Sequence, residues 1–444
     1  MIEHRWLVIS VTMLMAAAGV VSFIQLPFDA YPDTTPVMVQ VNTMLPGYAA
    51  EDVEAMVTAP IEWELGGLAK LKEIRSISKI GLSQVTLVFE DGTDIYLARQ
   101  QVGERIAIVE LPEDIDKPQM APVSTGLGEI FHYIVIDSLA DQRPTFARET
   151  QDWLIKPQLR TVPGVAEINS WGGFEKQFQV LIDPNRLLAL NLTLSDVIQA
   201  LSKGLHNVGG GNVNRAGERF IVQGVGVVTG IEDIERIVVA SRDGIPILVS
   251  DIGEAVIGHE IRMAATTHNG DGETVLGLGF MLTGENSHQV ARHLIRQLEE
   301  IKKNLPEGIS AKTVYDRTHF VDQVLSTVEH NLFYGAALVI AVLFVFLGNF
   351  RAALIVAFAI PLAMMFAFNM MLQIGIVGSL MSLGAIDFGL VVDNAVIQVE
   401  NVARRLTGQM SLRERMTRIR EAIMEVRKPT LLGELIIMIV YLPI

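Results

Sequence analysis

The chain has 444 residues, 50% of them hydrophobic, only 19% charged and none of them cysteine, with a mean hydropathy of +0.36. This is too apolar for an ordinary soluble protein and points to a membrane. Fifty acidic against 35 basic side chains give a formal charge of −15, which excludes a nucleic-acid binder because phosphate neutralisation needs clustered Lys and Arg; zero cysteine removes disulfides, thiolate metal sites and thiol nucleophiles together.

In chain order, Trp6 to Leu26 is a run of 21 residues without a charge, long enough to cross a hydrocarbon core of about 30 Å as helix. The run continues well past Ala16, Ala17 and Ala18, so it reads as an uncleaved transmembrane helix and not as a signal peptide. Residues 27 to 348 hold 25 basic and 42 acidic side chains, a polar folded domain that carries essentially all of the negative charge. Its elements are an extended PVMVQVNT, a helix over AAEDVEAMVTAPIEWELGGL, extended LKEIRSISKI and SQVTLVF, a helix over DIYLARQQVGERIAIVEL, then a strand, HYIVIDSL. Two helices against a small sheet is the ferredoxin-like pattern. A second such unit is expected from ETQDWLIKPQLRTVPGV, AEINSWGG, QFQVLID, ETVLGLGFMLT and the helix after Ser287, with an inserted region between. The repeat is one of element order, without a clean sequence repeat.

Three features of this domain suggest chemistry and are better read otherwise. The Gly-rich HNVGGGNVNRAGERF, from His206 to Phe220, is followed by no Gly-Lys-Ser/Thr, so it reads as a hairpin tip and not a phosphate loop; no cofactor is expected. His288 and His293 are five apart, about 140° around a helix, and read as surface histidines instead of a metal pair. The adjacent pairs Met364, Met365 and Met370, Met371 read as lipid-facing packing before soft-cation ligands.

After Asn331 the apolar runs return at 332 to 347, 352 to 371 and 379 to 399, and a last one, LLGELIIMIVYLPI, ends at Ile444. Fourteen residues give about 21 Å of helix, too short to span, so the chain is expected to be part of a longer one. The segment from Asn401 to Thr430 holds eight basic residues against Glu414, Glu421 and Glu425, which makes it a cytoplasmic loop. Counting back puts the 372 to 378 connection outside, Gly348 to Arg351 inside, the acidic domain outside and the N-terminus inside.

The stretch from Gly384 to Leu406 places Asp387, Asp393 and Glu400 within or at the edge of an apolar helix, each at a cost of roughly 2.5 to 3.5 kcal/mol at mid-bilayer. Asp393 and Glu400 fall about 20° apart on a helical wheel and Asp387 about 120° from Asp393. A carboxylate taken out of water binds a proton more readily, so the trio suits a proton relay. Glu400 equally suits pairing with Arg404, and Asp387 the outer interface; Asp393, among Val391, Val392, Ala395, Val396 and Ile397, has no such alternative. Moving one charge through 100 mV releases about 2.3 kcal/mol, more than the roughly 1.4 kcal/mol of a tenfold gradient. No nucleophile and base constellation supports an enzyme.

These residues carry a resemblance. LPFDAYPDTTPVMVQVNT, PGYAAEDVEAMVTAPIE, GLSQVTLVFEDGTDIYLARQQVGERI, VYDRTHFVDQVLSTVEHNLFYGAALV and FLGNFRAALIVAFAIPLAM resemble the N-terminal part of a resistance-nodulation-division (RND) efflux pump. DFGLVVDNAVIQVENVARRL resembles its heavy-metal branch, of the cobalt, zinc and cadmium type. The resemblance implies that Asp387, Asp393 and Glu400 form the acidic triad, with Asp393 the proton-coupling aspartate. Asn394 follows Asp393 where the drug-exporting branch usually has a second aspartate and the metal branch more often a glycine; Gln398 is an unusual polar residue for the motif. It makes Glu129 and His132, in STGLGEIFHY, candidates for a metal pathway, although a plain strand with one exposed acid fits equally well.

The implied fold class is an α+β membrane protein with a large periplasmic domain of ferredoxin-like porter subdomains and an inserted docking subdomain. Its segments are 1–26 for the cytoplasmic start and first transmembrane helix, 27–133 for the first porter subdomain, 134–172 with 265–325 for the second, and 173–264 for docking. Helices two to four lie at 331–348, 352–371 and 379–400, the basic cytoplasmic loop at 401–430 and a truncated fifth helix at 431–444. The implied function is proton-driven export of divalent metal cations from the inner membrane by a homotrimer with a periplasmic adaptor and an outer-membrane channel. The lysine that in the family pairs with the coupling aspartate belongs to a later helix, so the chain alone is not expected to transport. Export of drugs or other solutes, and a membrane-anchored assembly protein or remnant, are the competing readings.

Overall fold

The computed structural model describes residues 5–26, 35–112, 115–139, 143–242, 244–262, 264–347, 350–375, 378, 388–406 and 411–441. Helix α1 (Arg5–Gln25) precedes the first α+β unit. That unit runs β1 (Met38–Met44), α2 (50–65), β2 (Leu71–Lys79), β3 (Leu82–Phe89), α3 (Ile95–Ile106) and β4 (Gln119–Met120). The strands form one antiparallel sheet in the order β2-β3-β1-β4. Alternation sends Val39, Val41, Val85 and Leu87 to one face, where Val53, Val57, Ile61, Leu65, Ala98 and Val102 of the helices cover them. Helix α3 begins on Asp94, whose carboxylate accepts from Tyr96 N and Leu97 N, and ends at Ile106, short of the expected Leu111.

The second unit repeats the plan with β5 (Glu129–Asp137), α4 (144–159), β6 (Val165–Trp171) and, after the insertion, β14 (Glu273–Met281), α6 (Ser287–Lys302) and β15 (Ile309–Asp316). Its order β6-β14-β5-β15 matches that of the first sheet, strand for strand. Both units therefore have the βαββαβ topology. In the first, β2 and β3 are joined by Ile80 and Gly81; in the second, the same connection holds residues 172–272. Strand β5 lies wholly in the second sheet, so the 133/134 boundary falls inside it.

The structure also uncovers a sequence equivalence that the search for repeats missed. Each first helix contains a π turn, Glu54–Thr58 in α2 and Gln151–Ile155 in α4. Each turn is followed two residues later by a proline, Pro60 and Pro157. Proline has no N–H and its ring crowds the carbonyl four residues back; widening the turn, with Ala59 N–H reaching Glu54 O and Lys156 N–H reaching Gln151 O, accommodates it. Beside each turn lies a buried polar group with partners. Thr58 meets the hydroxyls of Ser78 and Ser83 at 2.9 and 2.8 Å, and Gln151 Oε1 accepts from the Tyr133 hydroxyl at 2.9 Å.

The insertion corrects one expectation. QFQVLID, expected in the second sheet, forms β7 (Lys176–Ile182), which pairs with β12 (Gly253–His259) in a sheet of its own. Between them lie α5 (Leu194–Gly204), capped by Thr193 and Asp196, an exposed hairpin of β8 (Val208–Arg215) and β9 (Glu218–Gly224), and the pair β10 (Val238–Arg242) and β11 (Ile245–Leu248). The Gly-rich segment is that hairpin. The chain enters the insertion through Gly172 and Gly173, both left-handed at φ +75° and +68°, and returns by the short strand β13 (Thr266–Thr267).

Beyond β15 the described residues form four long helices. Helix α7 (Arg317–Leu347) starts directly after β15 and runs for 31 residues, not from 331 as expected. Asp316 caps it, accepting from His319 N at 3.0 Å. Helix α8 (Phe350–Ile374) packs on α1, where Phe23 and Phe368 approach to 5.0 Å between ring centroids. Helix α9 (Phe388–Arg405) and helix α10 (Leu412–Tyr441) complete the set. The expected loop at 401–430 is thus largely helical: Ser411 and Glu414 form a capping box at the start of α10, and the expected fifth helix is the far end of this 30-residue element. Among the described residues, Trp6–Gln25 and Phe350–Ile374 are long and apolar enough to cross a membrane by length and composition.

Candidate functional site

Helix α9 packs through Val392, Ala395, Val396 and Val399 against Val339, Ile340 and Phe344 of α7 and Ala353, Val356 and Ile360 of α8. These α9 positions follow the helical period, so the intervening positions face away. Asp393, Ile397 and Glu400 form that outer, exposed stripe. The structure therefore places Asp393 and Glu400 on one face, as their spacing predicts; Asp387 lies outside the described residues. Among the described residues neither carboxylate has an ion-pair partner, and the Glu400–Arg404 pair, the alternative to a relay role for Glu400, does not form. The neighbouring arginine, Arg405, pairs with Glu425 of α10, whose carboxylate also accepts from Asn401 Nδ2 at 3.2 Å. Asn394 and Gln398, the two departures from the family pattern, bond to each other, with Gln398 Nε2 donating to Asn394 Oδ1 at 2.7 Å.

The second candidate pair lies on β5. Residues three apart on a regular strand face opposite sides, which would separate Glu129 from His132. The register slips at this point: Phe131 pairs with Gly279 but Glu129 with Phe280, so Ile130 is the extra residue of a β-bulge. The bulge turns both side chains to one face and brings His132 Nε2 to 2.7 Å from Glu129 Oε1. The ring nitrogen is nonetheless not aligned for a hydrogen bond and is buried without a hydrogen-bond partner. The other side of the imidazole meets Tyr315 of β15, with ring centroids 4.9 Å apart.

Imidazole nitrogen beside carboxylate oxygen is the donor set that borderline divalent cations take. Two ligands leave such an ion to complete its shell with water or a further group; among the described residues no cluster of three His, Cys, Asp or Glu occurs. Sequence reasoning missed Glu167. It pairs with Phe280 on the opposite side from Glu129, which puts the two carboxylates on one sheet face, two strand spacings or roughly 9.5 Å apart by backbone. Only the strand register could have revealed this. His288, a surface histidine by its spacing from His293, has its Nε2 2.9 Å from Asp322 Oδ1.

The whole chain, residues 1–444, matches the family model described as AcrB/AcrD/AcrF family. The chain belongs to this family. It is 48% identical over 459 aligned residues to the cation efflux system protein CzcA of Alcaligenes sp., covering 100% of this chain and 43% of the relative. It is 39% identical to the nickel and cobalt resistance protein CnrA of Cupriavidus metallidurans, covering 100% and 45%. Against the cation efflux system protein CusA of Escherichia coli it is 33% identical, covering 100% and 44%. The crystal structure of a heavy metal efflux pump, crystal form II, superimposes with a TM-score of 0.87 at 34% identity, over 99% of this chain and 43% of that one. The chain thus spans less than half the length of the relatives it matches.

Proposed function

We propose that this chain is part of an inner-membrane exporter that moves divalent heavy-metal cations, of the zinc, cobalt, cadmium and nickel kind, against inward proton flow. The observation that carries the reading is the 48% identity along the entire chain to a protein named for cation efflux; the structural likeness to a heavy metal efflux pump supports it. In this reading α1, α7, α8 and α9 cross the membrane, the two α+β units and the insertion are the periplasmic porter and docking parts, and the assembly is a homotrimer with a periplasmic adaptor and an outer-membrane channel.

Asp393 is the proton carrier, with Asp387 and Glu400 along its route. It lies on the exposed stripe of α9. A carboxylate there loads a proton from the outer side and, on release inward, makes the helix face anionic again; the alternation biases the packing of neighbouring helices. Glu129 and His132 form a station for the cation in the outer domain, where the ion exchanges water for imidazole and carboxylate. The test is Asp393→Asn in the full-length pump. Zinc and cobalt uptake into energised everted vesicles should fall by at least about a hundredfold while trimer yield is kept; transport of dyes instead of metals by the wild type, or unchanged metal uptake with the variant, overturns the reading.

A further inference from the structure

The crossing of α9 and α10 separates two kinds of cation. Arg405 is held by Glu425, and Asn401 donates to Ala422 O at 2.8 Å and to the same glutamate. Arg404, Arg420, Arg427 and Lys428 are exposed, and among the described residues none of them takes part in an ion pair. Arg420 and Arg427 are seven apart and fall about 20° from each other around α10, with Lys428 within about 100° of both; Ala422, which packs against α9, is about 160° from Arg420. Arg420, Arg427 and Lys428 therefore project away from the helix pair, and Arg404 is exposed on α9. Residues 420 to 428 span about 12 Å of helix, and the Asn401–Ala422 bond brings Arg404 to within a turn of that level.

The next turn of α10 fixes the occupant of this face. Immediately beyond Pro429 and Thr430 the outward side chains become apolar: Leu431, Leu432 and Leu435 are 52, 60 and 45% exposed. An outward band of cations that gives way within one turn to an outward band of hydrocarbon, interrupted by the half-buried Glu434, has the polarity of a bilayer edge, with guanidinium groups at the phosphates.

We propose that Arg404, Arg420, Arg427 and Lys428 form a binding surface for the headgroups of anionic phospholipids in the cytoplasmic leaflet. Guanidinium forks match phosphate oxygens geometrically and remain charged throughout the physiological range. The proposal rests on the reading that α9 and the apolar half of α10 lie in the membrane. Its consequence is lipid selectivity: the helix pair is seated in the bilayer by negatively charged lipids, and zwitterionic lipids do not substitute for them.

The full chain is first tested for retention in the membrane after carbonate washing, because loss at this stage sinks the membrane reading and the lipid proposal with it. Retained protein is then exchanged into micelles containing equal phosphatidylglycerol and phosphatidylcholine and examined by native mass spectrometry. The wild type should retain phosphatidylglycerol at least about tenfold over phosphatidylcholine, less so at high salt. R404Q, R420Q, R427Q and K428Q combined should abolish the preference with helicity unchanged, and R404K, R420K and R427K combined should keep most of it. A wild type without preference, or a glutamine variant that keeps it, overturns the proposal; the latter would place the lipid, or an acidic protein segment, elsewhere.

Discussion

Asn369 of α8 donates a hydrogen bond to Ser22 of α1 at 3.0 Å, a polar contact between two helices that are otherwise apolar along their contact. Three residues earlier on α1, Gly19 lies so close to α8 that a Cβ would stand 2.4 Å from Met365 Cβ and 2.5 Å from its carbonyl oxygen. Small residues allow the approach and the hydrogen bond fixes the register, the usual division of labour between helices in lipid.

Asn369→Leu should lower resistance to unfolding in mixed detergent micelles by about 0.5 to 2 kcal/mol. Gly19→Leu should cost more, because the obstacle is partly backbone and the helices must separate. If Gly19→Leu unfolds at the same detergent fraction as the wild type, the α1–α8 contact is not as drawn.

Gly172 should tolerate no side chain. Its φ of +75° favours glycine, and a Cβ would come within 2.8 Å of Thr274 O and 2.7 Å of Thr266 Oγ1. Gly172→Val should lower the thermal midpoint of the second α+β unit by several degrees and raise protease sensitivity near 172, whereas Gly211→Ala, left-handed but in open space, should cost about 1 kcal/mol.

Acid should loosen the junction between β5 and α4. The Arg143 guanidinium, 2.8 Å from Asp137, holds that carboxyl below the ordinary aspartate range. A depressed folded pKa means that the contribution is complete above the unfolded value, about 3.9 for aspartate, and disappears as pH falls through the folded one. Asp137→Asn should therefore be less stable than the wild type at pH 6, with the difference closing below about pH 3. A gap that stays constant down to pH 2 would show that the ion pair is not its cause.

Cobalt offers a direct reading of the β5 pair. The full chain in detergent should bind Co(II) with visible absorption bands from nitrogen and oxygen ligands, and His132→Ala or Glu129→Gln should each weaken binding about 10-fold or more, the loss of one of few ligands. Wild-type affinity in both variants would leave the pair without a role in metal capture.

How much of this could be read beforehand depends on the range of the interaction. The two α+β units followed from local alternation, as in PVMVQVNT and SQVTLVF, and the shared face of Asp393 and Glu400 from helical spacing alone. The Pro60 and Pro157 equivalence was written in the sequence but carried by one residue type in dissimilar surroundings. The start of α7 was missed because Arg317 to His330 is too polar to join the apolar run beyond it; its helicity comes from the Asp316 cap and from packing on α6, where His288 meets Asp322. The bulge at Ile130 and the place of Glu167 depend on pairing between strands far apart in sequence, which no local pattern encodes.

The absence of any linker between β15 and α7 gives the molecule a push-rod. Tyr315 rests on His132, Asp316 ends the strand and caps the helix, and Arg317 is tied back to Leu127 O at 2.6 Å. From there 31 residues of unbroken helix reach about 46 Å, to the level where α9 is packed. A joint of even two or three flexible residues would absorb a displacement of the imidazole; the direct passage from strand to helix leaves no such joint between the sheet that holds His132 and the helix on which α9 packs.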